Sequence, residues 1–312
     1  MNRQFHIIIK SVMALLCVIS IMEGGQIVLA RELTEGPNLK VLQSEQPEQP
    51  LAVKNNAENV ELLGHLGGMA QAIEVRWQYA YVGFGPEFAI LDVTDPAHIQ
   101  RVGWMLAAGE VKDIAIQGDY AYIAYHGQNT SGSLLMPGMQ VVDIRHPAIP
   151  VSLAIKEFYD CGFMESVEVQ GNSAYFAFEP CSAFGGIIMG QGVLIHRLNI
   201  TIPADPVILD TYENSMVGSI GGIVASPGWL YAVVGDANGS NMVVFDVSSP
   251  VSIIEVASVP SPAFYYYDNQ DHIALSGDYA LTAVSNLLQV ADVSDPTQPT
   301  SIITHTLPGG SL

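Results

Sequence analysis

An apolar stretch that ends in an acidic residue, with a proline four residues later, recurs along this chain at a nearly fixed interval. The clear copies are Phe88 to Asp92 with Pro96, Met139 to Asp143 with Pro147, Met242 to Asp246 with Pro250, and Leu288 to Asp292 with Pro296. A degenerate copy, Gly192 to His196, falls between the second and third of these and puts His196 in place of the acid. The steps between copies are 51, 53, 50 and 46 residues. A period in this range means a repeat architecture, in which each unit hides its apolar face against the next.

A second element precedes each copy. Gly118-Asp119-Tyr120-Ala121-Tyr122, Gly171-Asn172-Ser173-Ala174-Tyr175 and Gly277-Asp278-Tyr279-Ala280-Leu281 share one pattern, with variants at Trp77 to Val82 and Pro227 to Ala232. Gly followed by Asp or Asn supplies the positive φ angles of a tight hairpin. The flanking aromatic and β-branched residues favour strands. One unit then holds four strands; in the second unit the pattern predicts them at about 112–117, 119–126, 138–144 and 149–157. No helical period persists. Four strands per unit, repeated radially, describe a β-propeller blade. The fold class is therefore all-β, a propeller of four-stranded blades with five repeat units.

These runs, each with its proline, and the Tyr-Ala-Tyr hairpins resemble the LVIVD repeat over roughly residues 60–307. The resemblance implies an exported or surface propeller and implies no particular activity. The third unit departs from the pattern: His196 replaces the acid and Pro203 and Pro206 come late, so a bulge or a longer turn is expected there. The repeated Asp has the chemistry of a metal ligand. It is read instead as the acceptor for backbone N–H groups of the turn that it opens. Residues 60–66 resemble a spare fourth strand. They leave two alternatives, a five-bladed ring with a redundant edge strand or a ring continued by further blades, and the second is favoured.

Residues 1–30 have the make-up of a secretory signal: Arg3 and Lys10, an uncharged run from Ser11 to Met22, then Val28-Leu29-Ala30. Residues 31–59, rich in Gln, Glu, Pro and Asn, read as a disordered linker, and 60–312 as the propeller. Removing the leader leaves 9 basic and 30 acidic residues, a formal charge of −21. Nucleic acid and anionic lipid need clustered Lys and Arg, so neither is an expected partner. No later segment is long and apolar enough to insert in a membrane. The expected location is secreted or cell-surface. Cys161 and Cys181 remain after the leader is removed, and an even pair in an exported chain suggests a disulfide.

Loop lengths separate the two ends of the ring. First-to-second hairpins and Asp-to-Pro turns are tight and lie together. The other end carries the long, varied connections, such as His126 to Gly138, Glu179 to Gly192 and Ser261 to Asp271. Binding residues sit on variable loops held by a rigid frame, which assigns a ligand site to the long-loop face. Tyr265, Tyr266, Tyr267, Asp268 and Asp271 combine aromatic faces with carboxylates that suit a sugar or a cation; packing over a blade edge is the plainer reading. Ala72, Asp113, Ser166, Ile223 and His272 open the five first strands. Asp113 and His272 are the in-phase titratable pair, with Glu110, Glu165 and Asp271 nearby; a water-filled channel mouth shows such residues too. Asp236 to Asn241 spaces its oxygens as a calcium loop does but reads better as an Asn-Gly hairpin. Motifs of nucleophilic, zinc-hydrolytic or phosphate-binding sites are absent from the sequence. No catalytic residue, cofactor or metal is assigned. Two functions follow. One is an exported scaffold that binds a protein or polysaccharide through the long-loop face. The alternative is a secreted glycan hydrolase or lyase with carboxylates and His272 at the channel mouth.

Overall fold

Five antiparallel sheets of the expected four-stranded kind make up the body of the protein. The computed structural model describes residues 26–32, 60–67, 70–128, 135–158, 162–184, 187–190, 192–215, 218–236, 239–261, 272–284 and 287–306. Two strands, β1 (Gln26–Glu32) and β2 (Val60–Gly67), pair with each other outside the blades. The expected spare fourth strand is thus β2, and its partner β1 crosses the expected end of the leader at Ala30. The rest of the leader and the linker lie outside the described residues.

Blade 1 contains β3 (Ala72–Arg76), β4 (Tyr79–Phe84), β5 (Glu87–Asp92) and β6 (Gln100–Leu106). Blade 2 contains β7 (Glu110–Gln117), β8 (Tyr120–Gln128), β9 (Leu135–Asp143) and β10 (Val151–Glu157). Blade 3 has β11 (Gly162–Gln170), β12 (Ser173–Phe184), the short β13 (Ile187–Gly190), β14 (Val193–Asn199) and β15 (Val207–Asn214). Blade 4 has β16 (Ser219–Ser226), β17 (Trp229–Asp236), β18 (Gly239–Asp246) and β19 (Ile254–Ser261). Blade 5 has β20 (His272–Ser276), β21 (Tyr279–Val284), β22 (Leu287–Asp292) and β23 (Thr300–Thr306). Each sheet is a meander in sequence order, and the inner strands β3, β7, β11, β16 and β20 pack side by side in that order. The fold is a β-propeller, as the repeat predicted.

The Tyr-Ala-Tyr pattern explains how the blades pack. Alternate residues of a strand face opposite sides of the sheet. Tyr81, Tyr122, Tyr175 and Tyr231 all point toward the following blade, where three of them meet the small Ala121, Ala174 and Ala280 of the next second strand. Between blades 3 and 4, Tyr175 meets Leu230 instead. In three of these seams a large side chain faces a small one, a complementary way to fill the space. Full burial of one large apolar side chain is worth roughly 1.5–3 kcal/mol, so each of these four contacts contributes to holding neighbouring blades together.

The turns follow the expected chemistry. Gly118, Gly171, Gly228 and Gly277 have φ of 58°, 58°, 83° and 61° in the first hairpin of blades 2 to 5. The Asp carboxylates at the ends of the third strands accept backbone N–H bonds two residues on: Thr94 to Asp92, Arg145 to Asp143, Ser248 to Asp246 and Ser294 to Asp292. Their role in the structure is to close the turn. Strands β17 and β18 pair from Asp236 with Gly239 outward, which is the hairpin expected there.

One assignment in the third unit is corrected. Strand pairing sets Ser173 opposite Asn199, as Tyr120 stands opposite Asp143. Asn199, not His196, is the turn residue; its Oδ1 accepts the Thr201 N–H at 2.9 Å. Pro203 then keeps the four-residue spacing. The extra length of this unit lies between its second and third strands, where the end of β12 pairs with β13. His196 instead shares its position with Gln140 and Gln289. Each is buried and bonds a hydroxyl on the fourth strand: Thr211, Ser152 and Ser301 respectively.

Candidate functional site

The inner strand of each blade is an edge of its sheet, so its outward backbone groups need partners from elsewhere. At the long-loop end those partners are side chains of the preceding blade. Asp113 on β7 accepts the Val167 N–H of β11 at 2.8 Å and the Ser166 hydroxyl at 2.7 Å, besides the N–H of its neighbour Ile114. Ser166 in turn accepts the Ile223 N–H of β16 at 3.3 Å. One layer further along, Glu168 accepts the Ala225 N–H.

A second row of bonds lies closer to the loops. Strands β7, β11 and β16 each carry a bulge that frees one N–H: Val111, Met164 and Ile220. Val111 donates to the Gly85 carbonyl at 2.7 Å. Met164 donates to His126 Nε2, and Ile220 donates to Glu179 Oε1 at 2.9 Å. Gly85, His126 and Glu179 each stand six residues after the first residue of their second strand, so three chemically unlike residues do one job.

Burial sets the protonation of this region. Desolvation pushes Glu168 up to about 8, with Asp113 and Glu74 adding repulsion. It also lifts Glu74 and Glu179 to about 7. Asp113 rises to about 6, against the pull of its hydrogen bonds. Glu165 lies well above the usual carboxylate range, through burial and then repulsion from Glu179. His126 falls to about 3 through burial and then the nearby Lys112. It is therefore neutral, and accepting at Nε2 fixes its proton on Nδ1. Lys112 pairs with Glu110 at 3.8 Å. Among the described residues no three His, Cys, Asp or Glu side chains are grouped to hold a metal ion.

The sequence candidates fare unequally. Asp113 sits at the first-strand position expected, but all its bonds run within blade 2 or to blade 3. The backbone of His272 occupies the same position of β20, opposite Ala283. Two inner strands, β11 and β16, stand between it and β7, so the expected pair is not adjacent along that row. Ile223 is one step out of phase, because the β16 bulge takes in both Gly221 and Gly222. Tyr265, Tyr266, Tyr267, Asp268 and Asp271 lie outside the described residues, as does Cys161; Cys181 contributes backbone pairing to β12 and β13. Sequence reasoning missed Glu74, His126, Glu168 and Glu179. Superposing the second strands would have brought Gly85, His126 and Glu179 into one column.

The sequence profile of the LVIVD repeat matches residues 67–105, 108–155, 221–260 and 269–305, together more than half of the chain. The chain belongs to the LVIVD repeat family. Of the five blades of this LVIVD protein, blade 3 is the one without a match; there Asn199 stands in for the acid and β13 is inserted. No curated protein sequence matches the chain. Solved structures do. A protein from Lactobacillus plantarum superposes with a TM-score of 0.57 at 13% identity, over 77% of this chain and 72% of that one. A hypothetical selenium-binding protein from Sulfolobus tokodaii gives 0.55 at 9% identity, over 82% and 70%. The periplasmic gluconolactonase of Pseudomonas aeruginosa gives 0.48 at 11%, over 80% and 89%. At these identities the likeness of this LVIVD protein to the first two is one of fold, and the third carries no argument.

Proposed function

We propose that this protein is an exported LVIVD-repeat propeller that acts as a binding scaffold, presenting its long-loop face to a protein or polysaccharide of the cell envelope. The observation that supports this reading is the use made of the polar groups beneath that face. Asp113, His126 and Glu179 are spent on backbone N–H groups of the next blade. A general acid or base needs a free lone pair or proton turned toward substrate. These groups face a seam, and they stiffen the frame on which loops of varied sequence are mounted. The loop holding Tyr265, Tyr266, Tyr267, Asp268 and Asp271 enters the proposal from its sequence alone.

The test is a thermal-shift and calorimetric screen against soluble polysaccharides and envelope-derived peptides. We expect a saturable ligand that raises the melting temperature, remains chemically intact, and binds more weakly to the Tyr266→Ala protein. Turnover of a glycan that disappears in folded Asp113→Asn or His272→Ala protein would overturn the reading in favour of an enzyme.

A further inference from the structure

The opposite end of the propeller carries a feature that the scaffold reading does not use. The first hairpin of blades 2 to 5 places glycine in the left-handed region; blade 1 places Trp77 there, with φ of 55°. A bulky residue in this region is a genuine outlier, and such strain collects at functional positions. Nothing in the fold recovers that cost, because Trp77 is not packed inside: it is 73% exposed. Arg76 lies against it, with its guanidinium 5.0 Å from the ring centroid. Arg76 is itself pinned across the seam, donating from Nη1 to the Ile116 carbonyl of β7 at 2.6 Å. The indole thus has Arg76 over one face, while most of its surface is open to solvent.

The surroundings indicate what it meets. The first hairpin and the Asp-to-Pro turn of every blade share this end and are joined by a backbone bond, for example Val93 N–H to Gln78 O and Ile144 N–H to Asp119 O. On those turns Ile149, Ile202 and Val251 are 71%, 62% and 61% exposed, and Val75 beside Trp77 is 53% exposed. The same end displays exposed Asp95, Asp119, Asp205, Asp278 and Asp295. Apolar knobs among carboxylates suit a partner with apolar pockets rimmed by Lys and Arg. Trp, Tyr and Arg are enriched at interface hot spots, and Trp77 and Arg76 stand together here.

We propose that the tight-turn face is a second interaction surface, with Trp77 as its anchor, for a basic protein segment that buries apolar side chains. It lies at the other end of the blades from the proposed scaffold face and does not depend on it.

Trp77→Gly gives the test its edge. It restores the residue found at this position in blades 2, 3 and 5 (Gly118, Gly171 and Gly277), where blade 4 has Pro227, and it changes no charge. We expect its melting temperature to rise by about 2–4 °C, as relief of roughly 1 kcal/mol of strain implies. Binding of a fluorescent amphipathic peptide of Leu and Lys is expected to weaken at least tenfold in the same variant. A matched peptide of Leu and Glu is expected not to bind the unmodified protein. Trp77→Asn, which tolerates the left-handed turn, provides the second variant and is expected to lose binding equally. A fall in melting temperature in both variants would mean that the indole is structural and would overturn the proposal. So would peptide binding that is unchanged in both, or Trp77-dependent binding of a neutral glucan in place of the peptide.

Discussion

The seam between blades 1 and 2 and the seam between blades 2 and 3 solve one problem with different materials. In both, a bulge on the later inner strand frees an N–H. The first seam answers with main chain: Val111 donates to the Gly85 carbonyl, Gly83 leaves no room for a Cβ beside Val111, and Gly103 lies against the Pro147 carbonyl. The second answers with side chains, His126 and Asp113. The difference teaches that the repeat specifies where the acceptor must be, not what it is. A main-chain acceptor is insensitive to pH but demands close approach; a side-chain acceptor tolerates distance but titrates.

The largest expected effect breaks the first seam. Gly103→Ala drives a methyl into the Pro147 carbonyl, and we expect a loss of about 3 kcal/mol or failure to fold, measured by urea unfolding. Next, His126→Ala leaves the buried Met164 N–H without an acceptor, a cost of about 1–3 kcal/mol by the same measurement, with a smaller loss for His126→Gln. His126 also gives the second seam an acid limit. Its folded value near 3 lies below the ordinary 6.5, so the unfolded chain takes up more protons between them. Stability from this group is full above about 6.5 and falls as pH drops toward 3. In His126→Gln that part of the acid sensitivity should vanish.

Glu168 has the opposite sign. Its folded value, near 8, lies above the ordinary 4.5, so the folded state holds its proton longer and stability declines as pH rises from 4.5 to 8. Glu168→Gln should match the unmodified protein near pH 4.5 and exceed it by at least about 1 kcal/mol at pH 8. Equal stability of the two at pH 8 would show that Glu168 is not desolvated. The smallest effect concerns the repeat signature. Asn199→Asp keeps the bond to Thr201 and should change stability by less than about 0.5 kcal/mol.

Much of the architecture was legible because its signals are local. The Asp-to-Pro spacing, the glycine hairpins and the Tyr-Ala-Tyr alternation each act within a few residues. In the second unit, β7 to β10 fall within three residues of their predicted limits. Blade 3 misled where one local signal was broken. The copy of the repeat there was read as ending at His196, one residue before Arg197. In the fold Arg197 is buried, with Nη1 bonded to the Ser249 and Ser252 carbonyls of blade 4 and Nε to the Ser173 hydroxyl. The candidate site was less legible for a general reason. Its partners lie about 40 residues apart or more, and bulges at Lys112 and Glu165 shift the inner strands so that simple counting misses the pairing. The left-handed Trp77 was visible in the hairpin alignment, where it stands against Gly118, Gly171, Gly277 and Pro227, but its strain becomes evident only with the backbone angle.

The bonds between a side chain and the main chain across the inner strands share a direction: the side chain belongs to the earlier blade and the main chain to the later one. Arg76 and Gln117 reach forward to the Ile116 and Gly171 carbonyls, just as Asp113, His126, Ser166 and Glu179 receive N–H groups from the blade that follows. During synthesis, a newly emerged blade therefore finds its receptors already made. These bonds ask of it only main-chain groups, which is compatible with assembly blade by blade from the amino end.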